Sequence, residues 1–138
     1  MKKYNLIDHT ADLGIEVYGK DLKELFQNAA EALFEIICDL SKVSESIEKK
    51  ISVDGEGLEQ LIVVWLGELL YIHDMEGVLL KRFEIEEIGD AKVNATAYGE
   101  EFSEDRHTIK TEIKAVTYHQ IQVRQEKGKW LSRIIFDL

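Results

Sequence analysis

The spacing of apolar residues alternates along the chain between the period of strands and that of helices, and it predicts where each lies. Residues 3–7 and 13–17 alternate or run apolar on either side of the polar segment 8–12, which predicts a strand, a loop and a second strand. From Leu22 to Ile37 apolar residues recur at the i, i+3, i+4, i+7 spacing of one helical face. Asp21 and Glu24 form a capping-box pattern and predict that the first helix begins there.

A second helix is predicted from Leu58 to about Ile72. Its residues are apolar almost all round, so we expect it to be covered on most sides. Between the two helices, residues 41–46 are polar and loop-like, and residues 49–53 are predicted to form a short strand that ends at the turn signal of Asp54 and Gly55.

The second half of the chain is rich in β-branched and aromatic residues, and its strands follow one another without intervening helices. The predicted strands are 78–88, 91–99, 112–117, 118–124 and 130–136, with turns at 88–90 and 127–129. Runs of strands of this kind do not build parallel βαβ units. The predicted fold is therefore α+β in two layers, with two helices packed on a mostly antiparallel sheet and a C-terminal β-meander. Residues 100–107 are predicted to form an exposed loop.

Length and charge narrow the function classes. A chain of 138 residues that is 45% hydrophobic predicts a single domain, 1–138. Its net charge of −10 repels nucleic-acid phosphate, which disfavours direct tight binding of RNA or DNA and favours a basic protein partner. No apolar run reaches the roughly 20 residues of a membrane span and no signal-peptide region is evident, so we expect a cytoplasmic protein without a membrane partner. The single cysteine, Cys38, is expected to be buried packing.

The polar segment at residues 8–12 is the first candidate for chemistry. The spacing of Asp8, Thr10 and Asp12 is similar to the opening of a calcium-binding loop, but an EF-hand needs Gly at its sixth position and Glu at its twelfth. Leu13 and Gly19 stand there, so the EF-hand motif fails. What remains is a tight group of oxygen donors, and the alternative is that Asp8 and Asp12 simply cap turn N–H groups.

The last residues of the sequence are the second candidate. Residues 133–138 form an apolar strand, which we expect to hold Asp137 and the terminal carboxylate of Leu138 rigidly beside the sheet. If this strand lies next to the first ones, Asp12, Asp137 and Leu138 converge. Oxygen-only ligands of this kind suit Ca²⁺, Mg²⁺ or Mn²⁺ rather than zinc or copper.

The sequence gives little support for a zinc site, a catalytic nucleophile or a phosphate-binding loop. The four histidines are scattered, without the spacing of a zinc site, and only His9 lies among candidate ligands, where a turn or supporting role is expected rather than ligation. Nucleophile and phosphate-cradle motifs are absent. One enzyme interpretation stays open, a stand-alone metal-dependent phosphoesterase that uses Asp12, Asp137 and His9, although no general base is evident.

Three separated segments together resemble the archease family: DHTADLG at residues 8–14, KAVTYH at 114–119 and RIIFDL at 133–138. The resemblance spans the whole chain. It implies a protein cofactor, not itself an enzyme, for the RtcB-type RNA ligase of tRNA splicing and RNA repair. In that family the cofactor promotes guanylylation of the ligase by GTP and allows multiple turnover, with a divalent metal held by acidic residues.

The resemblance also implies the site residues. The metal ligands would be Asp12, Asp137 and Leu138, the last through a main-chain or terminal oxygen. Asp8 and His9 belong to the same motif, in supporting or partner-facing positions. The expected cofactor is a divalent cation, in the first place Ca²⁺, with Mg²⁺ and Mn²⁺ as alternatives. A chaperone-like binder of RNA-modifying enzymes, a role also suggested for the family, is the other expectation, and it predicts that exposed apolar patches matter more than the metal.

Overall fold

The computed structural model describes residues 2–8 and 12–138 and has two α-helices and eight strands in that part of the chain. In chain order the elements are β1 (Tyr4–Asp8), β2 (Asp12–Gly19), α1 (Leu22–Ile37), β3 (Ile47–Asp54), α2 (Leu58–Glu76), β4 (Val78–Ile88), β5 (Lys92–Glu101), β6 (Ala115–Val116), β7 (Gln122–Glu126) and β8 (Lys129–Asp137). The α+β class and both helices are confirmed.

The strands divide between two antiparallel sheets. The first has the order β1-β2-β8-β6, with β7 also paired to β8, and the second has the order β3-β5-β4. The strands predicted as one continuous meander are thus shared, because residues 102–114 separate β5 from β6 and allow the chain to pass from one sheet to the other. The strands predicted at 112–117 and 118–124 are shorter than expected, since the chain turns between them at Gln120, whose φ is 55°.

The first helix begins where its capping residues predict. The Asp21 carboxylate accepts a hydrogen bond of 2.8 Å from the Glu24 N–H, and the Glu24 carboxylate accepts one of 3.0 Å from the Lys20 N–H. These two contacts satisfy N–H groups that have no partner within the helix. The helix then buries a wide apolar face and contacts strands of both sheets.

The second helix runs one turn beyond its predicted end. It stops at Gly77, which has the left-handed φ of 65° and donates its N–H to the His73 carbonyl at 3.1 Å. Glycine takes this conformation without steric cost, which is why it ends helices. Inside the core the indole N–H of Trp65 donates to the Phe26 carbonyl at 3.0 Å and joins the two helices.

Two further predictions concern Cys38 and membrane spans. Cys38 is 1% exposed, as predicted, and burial raises the pKa of its thiol to about 11, so it stays protonated and unreactive near neutral pH. No helix among the described residues has the length and apolar character that crossing a membrane requires.

Candidate metal centre

The pairing of β2 with β8 brings two acidic residues together from distant parts of the sequence. Asp12 lies directly opposite Asp137 in the antiparallel register. Residues opposite each other point to the same face of a sheet, with Cβ atoms about 4.5–5.5 Å apart. The structure therefore places the two predicted carboxylates side by side.

Strand β6 lies on the other side of β8 and also supports Asp137. On the other edge of β8, Ala115 lies opposite Asp137, and the Lys114 N–H donates to the Asp137 carbonyl at 2.8 Å. The Thr117 backbone N–H and hydroxyl both donate to the Ile135 carbonyl, at 3.0 and 2.9 Å. All three segments that carry the family resemblance therefore contribute to neighbouring strands. The small residue Ala115 flanks Asp137 on the side away from Asp12.

An apolar row borders the carboxylates on the same face of the sheet. Gly14 lies between Ile7 on β1 and Ile135 on β8, and Ile135 is fully buried. A Cβ atom on Gly14 would stand 3.2 Å from the Ile7 Cβ and 3.6 Å from the Ile135 Cγ1, so the two isoleucines pack closely over the glycine. The strands next to the carboxylate pair are therefore closely packed on this face of the sheet.

The residues present fit a hard cation. Like charges directly opposite each other destabilise a sheet, and a cation between them offsets that repulsion. Asp137 is exposed, and among the described residues no Lys, Arg or His forms an ion pair with it. Leu138 follows Asp137 directly and is 39% exposed, so its main-chain oxygen lies at the same end of β8.

The described side chains alone do not make a complete metal site. Among the side chains that the structure describes, at residues 2–7 and 12–138, no three His, Cys, Asp or Glu group as metal ligands. Asp12 and Asp137 therefore need further oxygens, from Leu138, from water or from a partner. Their assignment as ligands, together with Leu138, stays a prediction.

The predictions for Asp8 and His9 fall at the edge of what the structure describes. Asp8 is the last residue of β1 and its backbone pairs with Leu13, and only the backbone of Asp8 is described. His9 lies outside the described residues. Both assignments stay predictions.

A second charged group was missed by the sequence analysis. Residues 100–107 were predicted to be exposed, but Glu100 is 7% exposed and His107 is 5% exposed. One Glu100 oxygen accepts from the Ser44 N–H at 3.0 Å and from His107 Nε2 at 2.7 Å. The other accepts from the Ser44 hydroxyl at 2.9 Å and from Arg106 Nη2 at 3.0 Å. The Ser44 backbone N–H is the largest of several donors that lower the pKa of Glu100 to about 2.

The hydrogen bonds of His107 fix its tautomer. Its Nδ1 accepts from the Ser103 N–H at 2.9 Å, so the proton is on Nε2, which donates to Glu100 and approaches the Lys42 carbonyl at 3.1 Å. Both ring nitrogens are thus occupied by protein groups. The Glu100–His107 cluster holds residues 103–107 against residues 42–44 and offers no open position to a substrate, so its role is structural.

Comparison with known proteins gives one consistent family. The family model described as the archease protein family matches residues 4–138. The chain is 39% identical over 142 residues to a protein named archease of Pyrococcus furiosus, and 40% identical over 141 residues to one of Methanothermobacter thermautotrophicus; both alignments cover 100% of each chain.

Solved structures agree with this result. The solution structure of protein 1598 of Methanobacterium thermoautotrophicum is 41% identical, has a TM-score of 0.86 and covers 100% of both chains. A crystal structure from Thermotoga maritima, described as an archease and possible chaperone, is 24% identical with a TM-score of 0.69, and covers 96% of this chain and 94% of its own. At that identity the second structure supports the fold alone.

Proposed function

We propose a function from one premise: the chain belongs to the archease family. Our proposal is that it is a protein cofactor, not an enzyme in its own right, that activates an RtcB-type RNA ligase. It would promote guanylylation of the ligase by GTP and multiple turnover, in tRNA splicing and RNA repair. This role is what the family resemblance implies.

The observation that supports this proposal is the cross-strand pair of Asp12 and Asp137. The two carboxylates, with an oxygen of Leu138, are the groups that would hold a divalent cation. When bound, such a cation supplies positive charge that compensates phosphate during nucleotide transfer. The protein holds these ligands rigidly. The Lys114 N–H fixes the backbone of Asp137, and the close packing of Ile7 and Ile135 at Gly14 holds β1, β2 and β8 together.

The charge of the protein supports a role at a protein partner. A net charge of −10 favours encounter with a basic surface, which a nucleic-acid enzyme presents to its substrate. The Asp12–Asp137 pair lies where β2 begins and β8 ends, at one end of the central strands of the first sheet. We therefore expect this end of the protein to face the nucleotide site of the ligase.

The test is ligase guanylylation measured with labelled GTP, with and without the protein. Asp12→Ala and Asp137→Ala each remove one carboxylate of the pair, and we expect stimulation to fall tenfold or more in both. Asp90→Ala is the matched control, because it removes an exposed carboxylate in the turn between β4 and β5. Undiminished stimulation by Asp12→Ala or Asp137→Ala protein would reject the proposal.

The identity of the cation is tested separately. Metal-free protein is titrated calorimetrically with Ca²⁺, Mg²⁺ and Mn²⁺, and we expect Ca²⁺ to bind most tightly because it accepts irregular sets of oxygen ligands, whereas Mg²⁺ demands near-ideal octahedral geometry. Asp137→Ala should weaken binding of whichever ion binds. If none of the three ions binds the wild-type protein, the metal-dependent part of the proposal is wrong.

A chaperone-like role toward RNA-modifying enzymes is the second candidate. The observation that favours it is the set of large apolar side chains left exposed, among them Tyr71, Met75 and Tyr118 at 57%, 67% and 54%. It predicts that the protein suppresses aggregation of a client enzyme, and that neither chelator nor Asp137→Ala changes this effect. A stand-alone phosphoesterase instead predicts hydrolysis of phosphodiesters by the purified protein with Mn²⁺, which a cofactor protein should not show.

A further inference from the structure

The solvent face of α2 carries an apolar stripe that nothing in the described fold covers. Its sequence predicts a helix covered on most sides, and the structure buries most of it, but Tyr71 is 57% and Met75 67% exposed. At 100° per residue these two lie on one line with Val64 and Gly67. The exposed stripe consists of Tyr71 and Met75, and it continues past Gly67 to Val64, which is half-buried against the core.

Acidic residues border this stripe on both sides. On the helical wheel Glu68 lies along one border and Asp74 along the other. The 19 residues of α2 include two further carboxylates, Glu59 and Glu76, but no Lys or Arg. The surface is thus an apolar line between two negative edges.

The middle of the stripe permits close approach. Gly67 has no side chain, and a Cβ atom built there would meet nothing within 4 Å. A segment lying along α2 therefore comes near its backbone at this point, between Tyr71 and Val64. A second helix can pack its own apolar face against such an exposed apolar helix face.

A groove beside the Asp74 border of the stripe extends toward the strand of the candidate metal centre. A groove of about 430 Å³ separates the C-terminal half of α2, at His73 and Asp74, from residues 109–114. The far wall of this groove ends at Lys114, whose N–H donates to the Asp137 carbonyl. The backbone of this groove wall is thus hydrogen-bonded to the strand that carries Asp137.

We propose that the α2 stripe is a second docking surface and that its occupant is a basic amphipathic helix of a partner protein. Lysine or arginine side chains flanking an apolar face complement Glu68 and Asp74, and the apolar face covers Tyr71 and Met75. A second copy of this chain fits poorly, because a symmetric contact would bring Glu68 and Asp74 of both copies together. The inference rests on the proposed function only in requiring a protein partner.

The probe is a fluorescein-labelled 18-residue model helix with leucine on one face and lysine on the other. We expect it to bind the full-length protein, with NMR amide shifts concentrated at residues 64–75. A peptide of the same pattern with glutamate in place of lysine should not bind. Tyr71→Ser combined with Met75→Ser should weaken binding at least tenfold, as should Glu68→Lys.

Glu48→Lys is the matched control, because it makes the same charge change at an exposed position of β3. It should alter affinity less than twofold. An equal loss with Glu48→Lys, or shifts spread over the whole acidic surface, would mean that net charge alone attracts the peptide and would overturn the inference. Dimerisation that the stripe variants abolish, seen by sedimentation, would assign the surface to a second copy instead.

Ligase stimulation separates this inference from the proposed function. Stripe variants should raise the concentration needed for half-maximal stimulation about tenfold and leave the maximum unchanged, whereas Asp137→Ala should lower the maximum. Stripe variants that leave the half-maximal concentration unchanged would contradict the docking role of α2. Full stimulation by Asp137→Ala contradicts the proposed function alone.

Discussion

Glu100 and Asp137 are both carboxylates near the ends of strands, and the fold treats them in opposite ways. Glu100 is 7% exposed and accepts hydrogen bonds from Ser44, Arg106 and His107. Asp137 is exposed and faces another carboxylate across the sheet. The first arrangement stabilises the chain, whereas the second places two like charges opposite each other, which costs a sheet stability. Local arrangements that cost stability are where function is expected.

The largest expected effect on stability comes from disrupting the hydrogen-bonded Glu100–His107 cluster. His107→Ala removes the acceptor of the Ser103 N–H and a donor to Glu100, and leaves a cavity. We expect the free energy of unfolding to fall by about 2–4 kcal/mol, measured by urea denaturation. His119→Ala, at an exposed position, should change it by less than about 0.5 kcal/mol. Equal effects of the two substitutions would show that the Glu100–His107 cluster adds no stability.

The pH dependence of stability sharpens the comparison further. The pKa of Glu100 is about 2 in the folded protein against an ordinary value of 4.5. Its stabilising contribution is therefore complete above about pH 4.5 and is lost as the pH falls toward 2. Glu100→Gln lacks this contribution at every pH, so the difference in unfolding free energy between the wild type and Glu100→Gln should be largest above pH 4.5 and should shrink below it.

Urea denaturation between pH 7 and pH 2.5 measures this difference. Glu101→Gln provides the control, because the neighbouring carboxylate is exposed and its substitution should leave the curve close to that of the wild type. A difference between wild type and Glu100→Gln that stays constant over this range would show that the hydrogen bonds to Glu100 do not stabilise its charged form.

The smallest expected effect on the free energy of unfolding is an increase, and it comes from the Asp12–Asp137 pair. Asp137→Asn removes the like-charge pair, so in chelator the free energy of unfolding should rise by roughly 0.2–1 kcal/mol. In millimolar Ca²⁺ the order should reverse, because the wild type binds the ion and the variant binds it weakly. Thermal unfolding in both buffers measures this. A variant less stable than the wild type in chelator would mean that Asp137 is structurally required, and that whatever its carboxylate contributes to the fold outweighs its repulsion with Asp12.

Local chemistry explains what the sequence predicted well. The start of α1 depends on Asp21 and Glu24, which are neighbours in sequence, and it was predicted correctly. The end of α2 was placed one turn early because the apolar pattern stops at Ile72, whereas the backbone continues until Gly77 supplies a left-handed residue. Helix ends follow backbone geometry as well as side-chain polarity.

Non-local pairing explains what was missed. The division of the strands into two sheets depends on β3 joining β5, which no local pattern reveals. Glu100 resembled a loop residue because its donor Ser44 lies 56 positions away. The meeting of Asp12 and Asp137 was anticipated only on the condition that the last strand lies next to the first ones, and β2 and β8 meet that condition.

The pairing of β2 with β8 closes a loop that includes almost the whole chain. An ion held between Asp12 and Asp137 would bind only molecules in which that closure has occurred, and at a free concentration one hundred times its dissociation constant it would add about 2.7 kcal/mol to the free energy of unfolding. Cellular calcium or manganese supply would then govern resistance to proteolysis as well as activity. Chelation would then shorten the lifetime of the protein, independently of the proposed stimulation of a ligase.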